Sequence, residues 1–308
     1  MIRIVVAGEA LIDLIVSADG TLAATPGGGP YNTARTVARL DGDVAYLGRI
    51  SNDRFGRSLR AGLETDGVRT ELVVPTDAPT TMAVAELDER GTASYQFYVD
   101  GTSAPDLRDE DTAPAVAATP DALHVGTLGL VLEPIGSSIE RLVAAVPDTT
   151  VVMLDPNSRP SATRDPAAFR ARIDRLAARA DVVKVSDDDL AFLAPALTID
   201  QAMDRLLAAG VAVVLRTDGG RAVEIRGATF RTVIPVPPVR VVDSVGAGDA
   251  FGGGFLAAWV AAGHARSDLA DQAVVVTAAT FAVRVASVTV TRAGADPPTL
   301  AELAPAVG

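Results

Sequence analysis

The chain has 308 residues and a formal net charge of −12, and these two values already exclude several classes of protein. A chain of this length can form one large α/β domain with a small appendage and can bury a sizeable core. The acidic charge argues against nucleic acid as the main partner, because neutralising phosphates needs clustered lysine and arginine. The absence of cysteine excludes disulfides, thiol catalysis and cysteine metal sites. Lys184 is the only lysine, which we interpret as a bias of composition toward arginine.

No segment is expected to target or span a membrane. The first eight residues read as a strand without a cleavage site, so no signal peptide is expected. The longest apolar runs are interrupted by His264, Asp268 or Arg284, which argues against a membrane span. We therefore expect a cytoplasmic protein whose partners include neither membranes nor nucleic acid.

The N-terminal region begins with a short apolar strand that leads to Asp13. Asp13 interrupts a hydrophobic stretch, and a buried carboxylate there would need hydrogen-bond donors; a solvated strand end is the alternative. A glycine-rich loop with Gly27 and Gly28 then precedes Asn32 and a predicted helix over 33–40. Glycines let the backbone approach a ligand closely, and an asparagine side chain can both donate and accept.

Two runs, 80–87 and 93–99, alternate apolar and polar residues around a turn at 88–91, which predicts a β-hairpin. Two strands alone are rarely stable in water, so we expect the hairpin to join further strands in a small sheet that covers something. A hairpin without such a role is the alternative. The strands of this sheet are expected at about 12–25 and 72–103, inserted into a single domain that spans 1–308.

From residue 121 onward, short apolar runs alternate with helical stretches. The runs are rich in valine and leucine and lack polar alternation, which is typical of strands buried on both faces of a parallel sheet. This order predicts an α/β fold with a doubly wound, mostly parallel sheet flanked by helices. The predicted strands are 122–125, 150–154, 181–185 and 211–215, and the predicted helices are 137–146, 166–180 and 199–209.

Polar residues follow several of these strands, at the edge where open α/β sheets bind ligands. Each residue alone is more typical of a turn or a helix cap, but the set predicts a site. Its members are Asp155, Asn157, Ser186, Asp189, Thr217, Gly219, Gly220 and Asp243.

The stretch 241–259 carries the most specific pattern in the chain. It passes from an apolar strand end through Gly246, Ala247 and Gly248 into a run that favours a helix. The free amides and the dipole of a helix N-terminus bind anions, and glycines permit close approach. A carboxylate at Asp249 would be repelled by that anion, so we expect it to have a chemical role as a general base.

The same stretch carries a family resemblance. Residues 243–251, Asp-Ser-Val-Gly-Ala-Gly-Asp-Ala-Phe, resemble the C-terminal signature of the ribokinase-like (phosphofructokinase B) family of sugar and nucleoside kinases. The spacing of Gly27, Gly28 and Asn32, with the segment 44–56, resembles the second signature of that family. The resemblance covers nearly the whole chain. It implies that the small sheet is a lid over the sugar, and in relatives this lid often pairs two subunits.

The resemblance further implies an ATP-dependent carbohydrate kinase. Asp249 would take the proton of a sugar hydroxyl as that hydroxyl attacks the γ-phosphate of ATP. The amides of Gly246, Ala247 and Gly248 would stabilise the charge that develops on the phosphoryl oxygens. The residues expected to bind the sugar are Asp13, Gly27, Gly28, Asn32 and Arg159, and those expected at the nucleotide are Ser186, Thr217, Gly219, Gly220 and Arg221.

Two cations are expected. The four negative charges of ATP demand magnesium, which an Asn-x-x-Glu motif organises in the family. Ser186 and Asp189 replace that motif here, and Asp189 would act on the metal through water. The C-terminal segment resembles the segment that holds a monovalent cation in several relatives, and potassium is the candidate ion. An ordinary C-terminal turn is the alternative. The residues expected at that monovalent site are Asp243, Val245, Thr289, Arg292 and Gly294.

The acceptor sugar is expected to be fructose. Segments 8–13, 124–127 and 155–160 are more similar to fructokinases than to ribokinases or adenosine kinases. Ribokinases and kinases of 2-keto-3-deoxygluconate stay as alternatives. The latter often carry an arginine soon after the lid aromatic, whereas residues 97–100 of this chain, Phe-Tyr-Val-Asp, include none. Arg159 could nevertheless supply the positive charge that binds a substrate carboxylate. A catalytically silent sugar or nucleotide binder is the alternative of another class.

Overall fold

The computed structural model describes residues 2–17, 19–87 and 93–303, so the predicted hairpin turn at 88–91 lies outside the described residues. The strands of this part of the chain are β1 (Ile4–Ala7), β2 (Leu11–Val16), β3 (Leu22–Gly27), β4 (Val44–Ser51), β5 (Val73–Thr76), β6 (Met82–Leu87), β7 (Ala93–Tyr98), β8 (Ala122–Gly126), β9 (Val151–Asp155), β10 (Val182–Ser186), β11 (Val213–Asp218), β12 (Ala222–Gly227) and β13 (Arg231–Pro235). The α-helices of the same part are α1 (Gly29–Arg39), α2 (Arg54–Thr65), α3 (Asp109–Ala117), α4 (Ile135–Ala145), α5 (Pro166–Ala177), α6 (Asp187–Leu193), α7 (Ile199–Ala208), α8 (Ala247–Ala261), α9 (Gln272–Thr289) and α10 (Leu300–Leu303).

The larger sheet has the strand order β13-β12-β11-β10-β9-β8-β1-β4-β5 among the described residues. Neighbouring strands are parallel from β5 to β11, whereas β12 and β13 pair in the antiparallel sense. The predicted doubly wound, mostly parallel sheet is therefore confirmed, and the four predicted strands correspond to β8, β9, β10 and β11. They were recognisable because strands covered on both faces are mostly apolar and lack a regular alternation of polar residues.

Two hydrophobic cores lie on opposite faces of this sheet. Ile4 and Val6 of β1 point into one core, which α1, α8 and α9 cover, while Val5 and Ala7 point into the other. Helices α4, α5 and α7 contribute to the second core. Side chains of a strand alternate between faces, so helices on both sides are needed to bury them all.

The smaller sheet has the order β3-β2-β6-β7. The expected hairpin is confirmed, because β6 and β7 pair in the antiparallel sense, and β2 joins β6 as a parallel neighbour. Strand β5, which falls within the range 72–103, pairs instead with β4 of the larger sheet. The smaller sheet thus combines two separate pieces of chain, β2–β3 and β6–β7, which the pairing of β2 with β6 joins.

One helix within the described residues, α9, is long and apolar enough by length and composition to cross a membrane. The expectation that Arg284 interrupts this run sufficiently was wrong, because the surrounding alanine and valine residues keep the mean hydropathy at 1.5. A core helix passes the same test, and 44% of α9 is buried inside the protein, where it packs against α8. This one helix is therefore weak support for a membrane span.

The chain order of the larger sheet reverses between β1 and β8. From β1 the chain runs outward to β4 and β5, whereas β8 to β11 extend in the opposite direction. Ligands of open α/β sheets bind at such a switch point, beyond the carboxyl ends of the strands. The topology therefore predicts a ligand site at the loops that follow β1, β8, β9, β10 and β11.

Candidate active site

Helix α8 begins with a sharp turn at Gly246. Its φ angle of 76° lies in the left-handed region, and a Cβ atom there would lie 2.5 Å from Cβ of Ala295. Only glycine fits such a position without strain. The amide of Ala247 makes a long hydrogen bond of 3.3 Å to the carbonyl oxygen of Ser244. The first amides of a helix have no intrahelical acceptor, so this turn is suited to bind an anion.

Asp249 lies in the first turn of α8 and is only 8% exposed. Its Oδ2 atom accepts a hydrogen bond of 2.9 Å from Nδ2 of Asn32 on α1. Burial raises the pKa of Asp249 to about 6, against the opposing effects of the Asn32 hydrogen bond and the charge of Lys184. A carboxylate with a raised pKa is ionised at neutral pH and a better proton acceptor than a solvated one.

The entry into α1 is shaped by Glu9, which the sequence analysis did not single out. The buried Glu9 carboxylate accepts hydrogen bonds from the amide of Gly29 at 3.2 Å and from that of Gly129 at 2.9 Å. A Cβ atom on Gly29 would lie 3.3 Å from Oδ1 of Asp249. Glu9 therefore fixes the start of α1 against the loop after β8 and beside Asp249. Burial raises the pKa of Glu9 to about 8, despite the amides that donate to it.

Asp13 lies on β2, and its carboxylate is next to Gly27 at the end of the neighbouring strand β3. A Cβ atom on Gly27 would lie 2.0 Å from Oδ2 of Asp13, so a larger residue would displace this carboxylate. Burial raises the pKa of Asp13 to about 6, and the charge of Arg159 opposes the shift. The same arginine also lowers the pKa of Asp249. The structure thus brings Asp13, Gly27, Asn32 and Arg159 to the side of the site that holds Asp249.

Two residues beside this cluster have unusual backbone angles. Thr127 and Asn157 have φ angles of 56° and 38°, in the left-handed region that few non-glycine residues adopt. Nδ2 of Asn157 donates to Oγ1 of Thr127 at 3.4 Å. Strained residues of this kind concentrate at functional sites, where the surrounding structure holds them.

The side expected to bind the nucleotide is more open. Ser186 and Thr217 are register partners at the ends of β10 and β11, so the two predicted residues lie next to each other. Beyond them, Gly219 has a φ angle of 50°, and a Cβ atom on it or on Gly220 would meet nothing within 4 Å. The guanidinium of Arg221 pairs with Asp218 in the same turn. This turn has room for a ligand but few contacts that fix it.

The described residues include no group of three or more His, Cys, Asp or Glu side chains that could hold a metal ion. Asp189 caps α6: Oδ2 accepts from the amide and hydroxyl of Ser186, and Oδ1 accepts from the amide of Ser158. A carboxylate offers about four acceptor positions, so one is left for a water molecule. This arrangement fits magnesium held by ATP phosphates and water rather than by a protein cage.

The residues expected at a monovalent cation are partly brought together. The Asp243 carboxylate accepts hydrogen bonds from the amides of Val245 at 3.0 Å and Gly294 at 2.9 Å. The hydroxyl of Thr289 donates to Val285 within α9, and the side chain of Arg292 pairs with Glu302. Asp243 therefore joins the segment before α8 to the segment after α9, while the side chains of Thr289 and Arg292 point to other partners.

Lys184 is the second residue that the sequence analysis missed, because its single occurrence was attributed to composition. Its ammonium group donates to Oδ2 of Asp155 at 2.8 Å, and both residues are buried. A charged residue within the apolar run Val182–Ser186 was the signal that could have identified it. A buried cation needs a nearby anion, and Asp155 had already been placed at the end of the neighbouring strand.

Comparisons with known proteins identify the family of this chain. The model of the pfkB family of carbohydrate kinases matches residues 1–302. A fructokinase of Klebsiella pneumoniae is 35% identical over 266 residues, which cover 85% of each chain. The crystal structure of a Xylella fastidiosa fructokinase with bound ATP has a TM-score of 0.91 and 29% identity, covering 98% of this chain and 96% of that one.

A fructokinase of Vibrio cholerae O395, solved in a fructose-, ADP- and calcium-bound form, has a TM-score of 0.84 and 28% identity, covering 98% of each chain. A double mutant of the same enzyme was solved with fructose, ADP and potassium. The family match spans nearly the whole chain, and several curated relatives exceed 30% identity over most of it. The chain therefore belongs to the pfkB family of carbohydrate kinases.

Proposed function

We propose that this protein is an ATP-dependent fructokinase in which Asp249 is the general base. The observation that carries the proposal is the position of the Asp249 carboxylate, buried in the first turn of α8 and hydrogen-bonded to Asn32. A base, an anion-binding turn and a polar residue of the sugar side thus meet at one point. The fructokinases to which the chain is similar support fructose as acceptor and ATP as donor.

In the proposed reaction, a fructose hydroxyl lies between Asp249 and the γ-phosphate. The hydroxyl proton passes to the Asp249 carboxylate while the hydroxyl oxygen forms a bond to phosphorus. The bond between that phosphorus and the bridging oxygen breaks, and ADP leaves with the electron pair. The amides at the start of α8 face the developing charge, which is what phosphoryl transfer chiefly requires of a protein.

Asn32 orients the base in this proposal. Its Nδ2 atom donates to Asp249, which fixes the carboxylate, while Asp13 and Arg159 bind hydroxyl groups of the sugar. Magnesium would neutralise charge on the ATP phosphates, with Ser186 and Asp189 close to its water shell. Potassium at Asp243, Val245 and Gly294 is proposed on the same basis, and activity in potassium compared with a large inert cation tests it.

The acceptor is tested with a coupled assay of ADP release. The panel contains fructose, ribose, 2-keto-3-deoxygluconate, tagatose 6-phosphate and adenosine. We expect kcat/KM to be highest for fructose. A preference for the acid sugar would overturn the choice of acceptor and would assign Arg159 to the substrate carboxylate, whereas the absence of ADP release with every sugar would overturn the kinase proposal itself.

The base is tested with Asp249→Asn. This change keeps the shape of the side chain but removes its ability to accept a proton, so we expect kcat to fall at least about a hundredfold, as is typical for a lost general base. Asp174→Asn is the matched control, because Asp174 is exposed on α5 and pairs with Arg205. Both variants should bind ATP like the wild type in calorimetry, and near-normal turnover of Asp249→Asn would contradict the role.

The small sheet is proposed to cover the sugar and to pair two subunits. Its edge strand β3 is mostly exposed, and Leu22 on that strand is 63% exposed. An exposed edge strand with an apolar side chain favours association with another chain. Sedimentation velocity of the wild type and of Leu22→Lys tests this: the variant should shift toward the monomer. A cytoplasmic location, without nucleic acid or membrane partners, stays a prediction.

A further inference from the structure

The single lysine of this chain lies in the interior of the candidate site. The sequence has 27 lysine and arginine residues, and all but Lys184 are arginine. Lys184 is on β10 and is 4% exposed. A composition that favours arginine so strongly makes a retained lysine informative. An ammonium is a compact point charge, whereas a guanidinium is a wide planar fork that would need more space.

The ammonium group lies directly behind the anion-binding turn. A Cβ atom on Gly248 would lie 2.8 Å from Nζ of Lys184, so the two groups are in close contact through the backbone of α8. Oδ2 of Asp155 accepts from Nζ at 2.8 Å and fixes the ammonium in that place. Oδ1 of Asp155 has no hydrogen-bond partner within the described part of the chain. Asp155 thus binds the lysine as its main contact.

If its role were purely structural, the buried pair of Lys184 and Asp155 would contribute little to the stability of the fold. A cation at a helix N-terminus opposes the helix dipole, and a buried ion pair is often no more stable than an apolar pair of similar size. The charge is nevertheless maintained: Asp155, Asp189 and Asp249 raise the pKa of Lys184 against the effect of burial. Nearby His124 on β8 stays neutral, because burial and the charge of Lys184 lower its pKa to about 3.

We propose that Lys184 is a positioning residue for phosphoryl transfer. Its ammonium group places a positive charge behind the turn at Gly248, and Asp155 holds the ammonium group there. The inference rests on the proposed function, because the charge is useful where a phosphoryl group gains negative charge in front of that turn. Preorganised charges in a site without water stabilise a transition state more strongly than they do in water. In this proposal Lys184 acts through α8 and Asp249 and not through direct contact with a substrate.

The charges around Asp249 determine what the removal of Lys184 does. Asp249 is close to the positive groups of Lys184 and Arg159, to the negative carboxylate of Asp155, and to the buried Glu9. Among these, Lys184 is the charge that most lowers the pKa of Asp249. Without it the base protonates more readily, so the acidic limb of the kcat profile should move to higher pH.

The test compares Lys184→Met with a double variant, Lys184→Met with Asp155→Asn. The single change leaves Asp155 buried without its partner, which can prevent folding, whereas the double variant removes both charges and keeps both shapes. Arg226→Met is the matched control, because Arg226 is a buried cation of β12 in the same sheet, paired with Glu224. The measurements are the melting temperature, kcat and KM for fructose, the pH profile of kcat, and calorimetric affinity for ADP with and without aluminium fluoride.

We expect Lys184→Met to lower kcat at least about tenfold, less than the roughly 10² to 10³ typical of a direct oxyanion donor, with KM for fructose within about threefold. Its acidic limb should move to higher pH. The double variant should recover the melting temperature but not kcat. Both should lose at least about tenfold in affinity for ADP with aluminium fluoride, which mimics the transferring phosphoryl group, and keep the affinity for ADP. Arg226→Met should change only the melting temperature.

A structural role would give a different result. If the double variant regained kcat and affinity for the aluminium fluoride complex within about twofold, the proposal would be wrong. The binding measurement needs no turnover, so it tests Lys184 even if no sugar on the panel is phosphorylated. Failure of the proposed function and failure of this inference are therefore distinguishable.

Discussion

The two ends of the candidate site differ in how firmly the protein holds their side chains when no ligand is bound. At the catalytic end, Asn32 and Asp249 are 5% and 8% exposed and hold each other by a hydrogen bond. At the nucleotide end, the side chain of Arg221 is 78% exposed, and the turn at Gly219 has open space around it. The charges that are proposed to take part in the reaction are thus held in place by the protein alone, whereas the residues proposed to bind the nucleotide have few contacts that fix them.

This contrast has an energetic reason. A buried carboxylate must have its partners in place, because unpaired polar groups cost free energy in the interior. An exposed turn keeps its hydrogen bonds to water and needs no partner until ATP binds. Substitutions at the catalytic end should therefore lower kcat, while those at the nucleotide end should change mainly KM for ATP.

The largest effect is expected for Gly246→Ala. The new Cβ atom would meet Ala295 at 2.5 Å in a left-handed backbone, so α8 must shift and the anion-binding turn must open. Overpacking typically costs about 1 to 3 kcal/mol, and the strained backbone adds about 1 to 2 kcal/mol. We expect kcat to fall at least about a hundredfold in steady-state assays and the melting temperature to decrease.

Gly219→Ala is the control for that change. Its backbone is also left-handed, with a φ angle of 50°, but a Cβ atom there meets nothing within 4 Å. Gly219→Ala should therefore strain the backbone without a steric clash like the one with Ala295 in Gly246→Ala. Its kcat should stay within about threefold of the wild type. Equal losses of kcat in the two variants would remove the distinction between the buried and the open end.

A smaller loss of activity is expected for Asn32→Ala. The change removes the hydrogen bond to Asp249, and bonds to charged groups contribute about 1.5 to 3 kcal/mol. Because that bond lowers the pKa of Asp249, its loss raises the pKa above the value of about 6. The acidic limb of the kcat profile should move to higher pH, with kcat at pH 7 reduced about tenfold or more. An unchanged limb would mean that Asn32 does not orient the base.

Glu9→Gln tests a buried group outside the reaction. The folded-state pKa of Glu9 is raised to about 8, so the folded protein binds this proton more tightly than the unfolded chain does. The free energy of unfolding should therefore fall as pH rises from about 6 to 8, by up to about 1.4 kcal/mol per pH unit. Urea titrations should show a flatter pH dependence for Glu9→Gln. An identical slope in both proteins would exclude Glu9 as its source.

The smallest effect is expected for Arg221→Ala at the nucleotide end. Its guanidinium is 78% exposed and pairs with Asp218, and an ion pair at an exposed position contributes little to stability because water screens it. We expect an unchanged melting temperature and kcat, and a rise in KM for ATP of less than about tenfold. A large loss of kcat would show that this exposed turn is part of the catalytic end.

Much of this architecture was predictable from short-range patterns. Strands β8, β9 and β10 are apolar at most positions, which indicates a sheet covered on both faces. The glycines around Asp249 marked the anion-binding turn, because close approach and a left-handed backbone require glycine. Asp13 and Asn32 came from the family resemblance, and only the fold showed that Asn32 reaches Asp249.

Other residues could not be assigned from sequence. Asp189 was expected beside magnesium, and the structure shows that most of its acceptor capacity is used to cap α6 and to hold Ser158. Glu9 contacts Gly129, 120 positions away in the chain, and no local pattern reports such a contact. Lys184 was explained by composition because its partner, Asp155, lies on a different strand.

The sequence by itself determined the class of fold, the glycine turn at the start of α8 and the family, because each depends on residues that are neighbours along the chain. The tertiary structure alone decided which charges face each other: the hydrogen bond from Asn32 to Asp249, the pairing of Lys184 with Asp155 and the burial that raises the pKa of Glu9. The physical reason is that electrostatic effects depend on distance and burial in space. Those two quantities exist only once distant segments have packed together.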